Sequence, residues 1–222
     1  MLLDEHRAHT VPGCARRPCS RGVILRATLQ LPRLGVLVSG RGSNLAAILD
    51  AIERGDLPAR VVLVVSNNST AGGLELARAA GVTALHISTK TDADPGAAML
   101  EALRTHGVDV LVLAGYMKKV DPRVVEAFEG RALNIHPAPL PRFGGPGMYG
   151  EHVHRAVLEC GASQSGPTVH RVSAEYDEGR VLAHTPVEVR PDDTVATLAA
   201  RVLQAEHDLY WRVIAEHFCQ RA

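Results

Sequence analysis

Between residues 34 and 136, short apolar segments alternate with segments of helical periodicity, and this alternation constrains the fold more than any other feature of the sequence. The apolar segments end at glycines or short polar turns, which is typical of buried strands. The segments between them repeat apolar residues every three or four positions and end at glycine, which predicts amphipathic helices. We therefore predict an α/β fold with a doubly wound, mostly parallel sheet covered by helices on both faces.

In this part of the chain, the pattern predicts strands and helices in strict alternation. One helix begins at Asp121-Pro122, because Asp is a favoured N-cap and Pro suits the first helical turn. The predicted strands are residues 35–39, 60–66, 82–87, 108–114 and 131–136, and the other predicted helices are residues 44–54, 74–80 and 95–106.

The C-terminal part follows a different pattern. Residues 137–150 are rich in proline and glycine, which predicts a long loop. Residues 165–172 and 180–189 have strand patterns with no crossover helix between them, so we expect them to pair antiparallel. We therefore predict an antiparallel C-terminal extension of the sheet, followed by a long helix that begins at Asp192-Asp193.

Charge and cysteine content narrow the class of protein. The 222 residues include 24 basic and 24 acidic side chains, so the formal net charge is zero and bulk electrostatic capture of nucleic acid is not expected. The 4 cysteines are too few and too scattered for a disulfide scaffold, and the apolar segments are too short to span a membrane. We expect a cytoplasmic monomer or homodimer that acts on small molecules and has no nucleic-acid or membrane partner.

The first 33 residues differ from the rest of the chain. They are rich in arginine and show no sustained periodicity. Asp4 and Glu5 lie where a secretory signal would be basic, and no long apolar segment follows, so a targeting peptide is the weaker interpretation. We predict a disordered extension over residues 1–33 and a single domain over residues 34–222.

A glycine-rich turn joins the first predicted strand to the first predicted helix, with the sequence Gly40-Arg41-Gly42-Ser43-Asn44. Free N–H groups and the dipole at a helix N-terminus favour an anion there. A dinucleotide site would need a third glycine where Leu45 stands, and no Gly-Lys-Ser/Thr follows as in a nucleotide-triphosphate loop. The turn favours a phosphate monoester, and a simple tight turn before a capped helix is an equally weighted alternative.

Asn134 and His136 end the fifth predicted strand. Because they lie two residues apart, they share one face of that strand, and Pro137 then ends it. An amide donor stabilises a developing oxyanion and an imidazole moves protons near neutral pH, which is what acyl transfer to an amine requires. Taken alone, a polar pair that bonds to the backbone is the commoner explanation.

Two more polar residues stand out in the C-terminal part. From its turn, the Asp177 carboxylate would orient His136 and raise the pKa of that histidine if the sheet brings the two together. Asp is also common before glycine in turns, because its side chain caps them. His170 lies on a predicted strand, where a hydrogen-bonded structural histidine is the commoner case. None of the 11 histidines suggests a metal site, so no metal is expected.

Five segments in combination resemble a known family. In chain order they are Gly-Arg-Gly-Ser-Asn, Leu-Ala-Gly-Tyr-Met, Leu-Asn-Ile-His-Pro, Tyr-Asp-Glu-Gly and Gln-Ala-Glu-His. Over residues 34–219 the chain resembles the phosphoribosylglycinamide formyltransferases, a folate-dependent family of the formyltransferase superfamily. The Asn-x-His pair with a downstream Asp is shared by the superfamily. The glycine loop is typical of the branch whose acceptor carries a ribose 5-phosphate.

The resemblance implies a reaction and its residues. The reaction transfers the formyl group of 10-formyltetrahydrofolate to the amine of glycinamide ribonucleotide in de novo purine biosynthesis. The implied catalytic residues are Asn134, His136 and Asp177. The implied ribonucleotide-binding residues are Gly40, Arg41, Gly42, Ser43, Asn44 and Glu206. The implied folate-binding residues are Met117, Lys118, Lys119, Val120, Asn134, His170, Ser173, Ala174, Glu175 and Tyr176.

In the implied mechanism the amine attacks the formyl carbon directly, Asn134 binds the oxyanion, and His136 passes a proton to the departing folate nitrogen. Asp177 positions His136. Two of the chain's departures from the family pattern concern residues implied to contact the folate. Residues 92–96 lack an arginine that the family often has there, and Lys118-Lys119 replaces an arginine followed by an apolar residue.

Other functions fit the sequence less well. A nicotinamide-dependent oxidoreductase would need the third glycine of the dinucleotide loop. A methionyl-tRNA formyltransferase is expected to have a C-terminal RNA-binding domain, and a formyltetrahydrofolate deformylase an additional N-terminal regulatory domain. Another alternative is a phosphate-binding module without catalytic activity. Such a module would bind its ligand, and a substitution of His136 would not change any turnover rate.

Overall fold

A seven-stranded sheet forms the centre of the structure, a computed structural model that describes residues 30–219. The strand order is β3-β2-β1-β4-β5-β7-β8. The strands are β1 Arg33–Val38, β2 Arg60–Ser66, β3 Thr83–His86, β4 Val110–Leu113, β5 Ala132–His136, β6 Gln164–Ser165, β7 Thr168–Arg171, β8 Val181–His184 and β9 Val187–Glu188. The helices are α1 Ser43–Glu53, α2 Gly72–Ala79, α3 Pro95–Thr105, α4 Pro122–Ala127, α5 Glu151–Glu159 and α6 Val195–Phe218.

The direction of the strands confirms the predicted fold class. Strands β1 to β5 run parallel, whereas β7 pairs antiparallel with both β5 and β8. The strand order reverses between β1 and β4, since β1 lies beside β2 on one side and β4 on the other. In doubly wound sheets, ligands bind at the carboxyl ends of the strands beside such a reversal.

The strands are buried on both faces, which explains why they appear in the sequence as continuous apolar runs. In β1, Val36 and Val38 pack into the core that contains residues of α1, α2 and α6. Leu37 points the other way, into the core formed with α3 and α4. This alternation follows from the two-residue period of a strand.

The predicted strands 165–172 and 180–189 are each broken in two, and this part of the prediction was wrong. Pro167 and Pro186 interrupt them, because proline has no N–H to donate to a strand ladder. Gly166, at φ 120°, turns the chain where a Cβ would lie 2.0 Å from the carbonyl oxygen of Thr185. As a result, β7 and β8 extend the main sheet, while β6 and β9 form a separate two-stranded sheet.

The last helix begins later than predicted. Its N-cap is Thr194, which forms a capping box with Thr197. Asp193 lies outside the helix and instead forms an ion pair with Arg201. Hydrogen bonding by Arg201 holds the pKa of Asp193 well below its ordinary range. Asp and Thr are both favoured N-caps, so the sequence pattern alone does not distinguish Asp193 from Thr194 as the start of the helix.

The described residues from Leu31 onward form one compact unit. Most of the extension predicted over residues 1–33 lies outside the described residues, but Arg33 already belongs to β1. Among residues 30–219, no helix has the length and apolar character needed to cross a membrane.

Candidate active site

A cavity of about 610 Å³ opens at the carboxyl ends of the central strands. The loops after β1, β4, β5 and β7 line it, together with parts of α5 and α6. The predicted site residues that line it are Arg41, Asn44, Met117, Lys118, Lys119, Val120, Asn134, His136, His170, Ser173, Ala174, Glu175, Tyr176, Asp177 and Glu206. The cavity therefore brings together most of the predicted residues, which come from five separate parts of the chain.

Three predicted residues do not line this cavity. Gly40 and Gly42 line a smaller recess of about 320 Å³, which shares Arg41 and Met117 with the larger cavity. Ser43, the first residue of α1, lines neither space. Within residues 30–219, no group of three or more His, Cys, Asp or Glu side chains has the arrangement of a metal site.

The glycine turn is held tightly against the start of α2. Gly42 has φ 81°, a left-handed conformation that favours glycine. A Cβ on Gly42 would lie only 2.6 Å from the Cα of Gly73, and the Gly73 N–H donates to the carbonyl oxygen of Gly40 at 3.1 Å. Gly42 is also the N-cap of α1 and provides no side-chain cap. The turn thus leaves the first N–H groups of α1 without a side-chain acceptor.

Ser39 fixes the turn to the segment after β4. Its hydroxyl donates to Oδ1 of Asn67 at 2.5 Å and accepts from the N–H of Met117 at 2.8 Å. Sequence reasoning missed Asn67, because only the pairing of β1 with β2 places it beside Ser39.

Asn44 and Glu206 form a buried contact between α1 and α6. The amide Nδ2 of Asn44 donates to Oε2 of Glu206 at 2.6 Å, and Glu206 is only 8% exposed. Burial raises the pKa of Glu206 to about 7, although the Asn44 hydrogen bond opposes this shift. The carboxyl group is therefore poised between its neutral and ionised forms near physiological pH.

His136 is buried at the end of β5 and contacts protein groups through both ring nitrogens. Its Nε2 lies 2.7 Å from the carbonyl oxygen of Phe143, which can only accept, so Nε2 carries a hydrogen. Its Nδ1 lies 3.6 Å from Oδ2 of Asp177. Burial lowers the pKa of His136, and the charge of Asp177 offsets this only in part. The net direction is opposite to the one predicted from sequence, because desolvation of the buried imidazole outweighs the charge of Asp177.

Asp177 lies between the two histidines of the site. It occupies a left-handed conformation at φ 57°, and its Oδ2 accepts a hydrogen bond of 3.0 Å from the N–H of Gly145. Its Oδ1 lies 3.5 Å from Nε2 of His170. Burial raises the pKa of Asp177, but hydrogen bonding by His170, the charge of His136 and the Gly145 N–H together hold it below its ordinary value. The carboxylate is therefore ionised beside a neutral His136.

Asn134 and His170 face each other across the β5–β7 pair. Nδ2 of Asn134 lies 3.0 Å from Nε2 of His170, and Nδ1 of His170 lies 2.9 Å from the carbonyl oxygen of Arg171. The strand register places these two side chains side by side, which the sequence alone does not reveal.

The segments predicted to bind folate meet at the mouth of the cavity. Nζ of Lys119, after β4, lies 3.3 Å from Oε2 of Glu175, after β7. The same ammonium group lies 5.6 Å from the ring centroid of Tyr176. Lys118 lines the cavity as well. The missing arginine of residues 92–96 has no replacement within that segment, but Arg123 reaches it from α4 and bonds to Asp94.

His154 is a cavity residue that sequence reasoning did not single out. It lies in α5, is 6% exposed, and its Nδ1 is buried with no hydrogen-bond partner. Burial lowers the pKa of His154, and His136 contributes to this shift. Its sequence signal is its place between Val153 and Val157 on the buried side of the helix.

Comparison with known proteins is consistent with this geometry. Residues 32–214 match the formyl transferase family. Over 187 residues, the chain is 46% identical to the chloroplastic phosphoribosylglycinamide formyltransferase of Arabidopsis thaliana. The aligned region covers 82% of this chain and 64% of that protein. The chain thus spans less than two thirds of the length of that relative.

Bacterial relatives match over most of their length. Identity to the phosphoribosylglycinamide formyltransferase of Escherichia coli strain K12 is 40% over 184 residues, covering 81% of this chain and 84% of that protein. The crystal structure of glycinamide ribonucleotide transformylase 1 from Symbiobacterium toebii superposes with a TM-score of 0.77 at 44% identity, covering 83% of this chain and 86% of that one. The chain belongs to the formyl transferase family, among the phosphoribosylglycinamide formyltransferases.

Proposed function

We propose that the protein transfers the formyl group of 10-formyltetrahydrofolate to the amine of glycinamide ribonucleotide, a step of de novo purine biosynthesis. The observation that carries this proposal is the shared cavity, which is lined both by residues of the glycine turn and by Asn134, His136 and Asp177. The names of the bacterial and plant relatives support the same reaction.

The glycine turn and α6 would bind the ribonucleotide. The uncapped N–H groups at the start of α1 suit a phosphate dianion, and Arg41 adds a positive charge where the two spaces meet. Glu206 and Asn44, which also line the cavity, would bind hydroxyl groups of the ribose. The phosphate end and the reacting amine of the acceptor would then lie in one continuous space.

The segments 117–120 and 173–177 would bind the folate between them. Both line the cavity, and the contact of Lys119 with Glu175 joins them at its mouth. Asn134 on β5 and His170 on β7 are paired and line the same cavity, where the formyl group would react.

The chemistry follows from the arrangement of the catalytic residues. The amine nitrogen would attack the formyl carbon, and the Asn134 amide would donate to the oxygen as it becomes an oxyanion. Nδ1 of the neutral His136 would accept the proton that the amine loses, next to the Asp177 carboxylate. The same proton would pass to the folate nitrogen as its bond to the formyl carbon breaks. The hydrogen bond from Nε2 to the carbonyl oxygen of Phe143 would keep the first hydrogen on Nε2, which leaves Nδ1 as the acceptor.

Comparing two acceptors tests the proposed phosphate site. The formyl-transfer rate would be measured with glycinamide ribonucleotide and with the same compound lacking its phosphate. We expect kcat/KM to fall by about 100-fold or more without the phosphate, because charge-assisted hydrogen bonds each contribute about 1.5–3 kcal/mol. Equal kcat/KM values for the two acceptors would contradict the proposed acceptor.

A further inference from the structure

Two neighbours compete for the single ring hydrogen of neutral His136. The carbonyl oxygen of Phe143 lies 2.7 Å from Nε2, and Oδ2 of Asp177 lies 3.6 Å from Nδ1. Both neighbours are acceptors, so the hydrogen can serve only one of them. A hydrogen on Nδ1 would donate to Asp177 and leave that nitrogen unable to accept a proton. A hydrogen on Nε2 leaves Nδ1 free to act as a base.

The distances place the hydrogen on Nε2. The 2.7 Å contact with Phe143 is a short hydrogen bond, whereas the 3.6 Å between Nδ1 and the Asp177 carboxylate is longer than a hydrogen bond. A carboxylate is nevertheless the stronger acceptor of the two, because it is charged. The carbonyl oxygen of Phe143 can therefore keep the hydrogen only if the protein fixes both acceptors in place.

Residues 143–145 contact both members of the His136–Asp177 pair. Phe143 provides the carbonyl oxygen at one end of this segment. At the other end, the N–H of Gly145 donates at 3.0 Å to Oδ2 of Asp177, the same oxygen that faces Nδ1 of His136. This hydrogen bond holds Oδ2 in place and uses part of its accepting capacity. Gly145 has φ 96°, a backbone conformation that favours glycine.

The Phe143 side chain anchors this segment to the body of the protein. Its ring is 5% exposed and packs against buried residues of α5 and α6, namely Val153, Val157, Leu198 and Val202. The guanidinium of Arg142 lies 5.1 Å from the ring centroid, and the Phe143 N–H donates to the carbonyl oxygen of Pro139 at 3.2 Å. The position of the two backbone groups at the site thus depends on a ring buried between two helices.

We propose that Phe143 is a positioning residue, whose buried ring holds its own carbonyl oxygen at Nε2 of His136 and the Gly145 N–H at Asp177, so that Nδ1 stays free as the base. This role rests on the proposed formyl transfer. It adds a residue that acts only through backbone groups to the implied catalytic residues. Without the anchor, the ring hydrogen of His136 should move to Nδ1 and donate to Asp177.

Ring-nitrogen NMR measures the position of this hydrogen without depending on turnover. In full-length protein with ¹⁵N-labelled histidine at pH 7, His136 is neutral because burial lowers its pKa. The signals that disappear in His136→Ala give the assignment. We expect the hydrogen on Nε2 in the wild type and on Nδ1 in Phe143→Ala. A hydrogen on Nδ1 in the wild type, or the same tautomer in both proteins, would overturn the proposal.

Formyl-transfer kinetics test the consequence for the reaction. A positioned base contributes about 10²–10⁴-fold, so we expect kcat of Phe143→Ala to fall about 10-fold or more, with smaller changes in either KM. Phe143→Leu keeps an apolar anchor and should recover most of the activity. Phe128→Ala is the matched control, because Phe128 is 4% exposed and its ring lies 5.0 Å from an arginine, but it packs in the core formed with α3 and α4.

Melting temperatures establish that each variant is folded. A similar fall of kcat in Phe128→Ala, or a loss in Phe143→Ala that is confined to KM, would contradict the positioning role. The wild-type spectrum decides the tautomer even if Phe143→Ala does not fold. If the wild type showed no formyl transfer in any mixture, the proposed function would fail, and the NMR comparison would still decide whether Phe143 sets the tautomer of His136.

Discussion

At the scale of single residues, the site combines one local pair with pairs that are far apart in the chain. The side-by-side position of Asn134 and His136 follows from the period of a strand, so the sequence predicts it. The contact of Asn44 with Glu206 joins residues 162 positions apart, and no local pattern contains it. His170 meets Asn134 only through the register of β5 and β7. The sequence therefore predicts local geometry well, while long-range partners required the structure or the family resemblance.

The residues proposed to be catalytic can be tested by substitution. We expect His136→Ala and Asp177→Asn each to lower kcat by about 100-fold or more, because a positioned proton-transfer group contributes that much. Ribonucleotide binding, measured by calorimetry, should persist, since neither residue belongs to the glycine turn. Asp192→Asn, an exposed carboxylate before α6, is the control. Full activity in either of the two variants would rule out this mechanism.

Glu206 gives a prediction about pH. Because the pKa of Glu206 is raised to about 7 in the folded protein, the folded state holds this proton more tightly than the unfolded chain. The resulting stabilisation is fully present below the ordinary carboxyl pKa and is lost as pH rises through 7. Between pH 5.5 and pH 8, the wild type should lose about 2 kcal/mol of unfolding free energy through this group.

Glu206→Gln has no titrating carboxyl, so it isolates this contribution. Urea unfolding of wild type and variant at both pH values gives the comparison. The difference in unfolding free energy between the two proteins should change by about 2 kcal/mol across the range, in favour of the variant at high pH. A difference that is independent of pH would show that Glu206 titrates normally.

At the scale of elements, the predicted strands and helices agree with the structure where glycines end them and differ where prolines interrupt them. The parallel strands and their helices have clear periodicity and glycine stops, and the fold class was predicted correctly. Pro167 and Pro186 each divide one predicted strand into two short strands, so four strands stand where the apolar pattern predicts two. Both prolines lie at the end of the β7–β8 pair where Thr168 is opposite His184, away from the turn that contains Asp177.

Two glycines with the same backbone angle give an element-scale prediction. Gly42 and Gly55 both have φ 81°, but a Cβ on Gly55 would meet no atom within 4 Å, whereas one on Gly42 would meet the Gly73 backbone. Gly55→Ala should therefore cost only the strain of a left-handed residue, about 1–2 kcal/mol. Gly42→Ala should cost about 1–3 kcal/mol more and should also weaken ribonucleotide binding.

Urea unfolding and calorimetric titration of both variants measure these effects. The binding loss should appear in Gly42→Ala alone, because Gly55 lies at the far end of α1. Similar behaviour of the two variants would mean that the close approach of the glycine turn to α2 has no role in the acceptor site.

At the scale of the whole molecule, the first strand begins one residue before the domain predicted over residues 34–222. Arg33 belongs to β1, and its guanidinium donates to the carbonyl oxygens of His106 and Gly107. Deletion of residues 1–30 should leave the activity and melting temperature nearly unchanged. Deletion of residues 1–33 should lower the unfolding free energy by about 1–3 kcal/mol, because it removes these bonds. A large loss from the shorter deletion would show that the extension contributes to the fold.

The most direct test of the central claim is a formyl-transfer assay on the purified full-length protein. Glycinamide ribonucleotide and 10-formyltetrahydrofolate would be supplied together and then each omitted in turn, while the deformylated folate is followed. The account predicts that the folate product forms only when both substrates are present, with one formylated ribonucleotide for each folate released. Release without the ribonucleotide would indicate a hydrolase, and no release in any mixture from folded protein would contradict the proposed reaction.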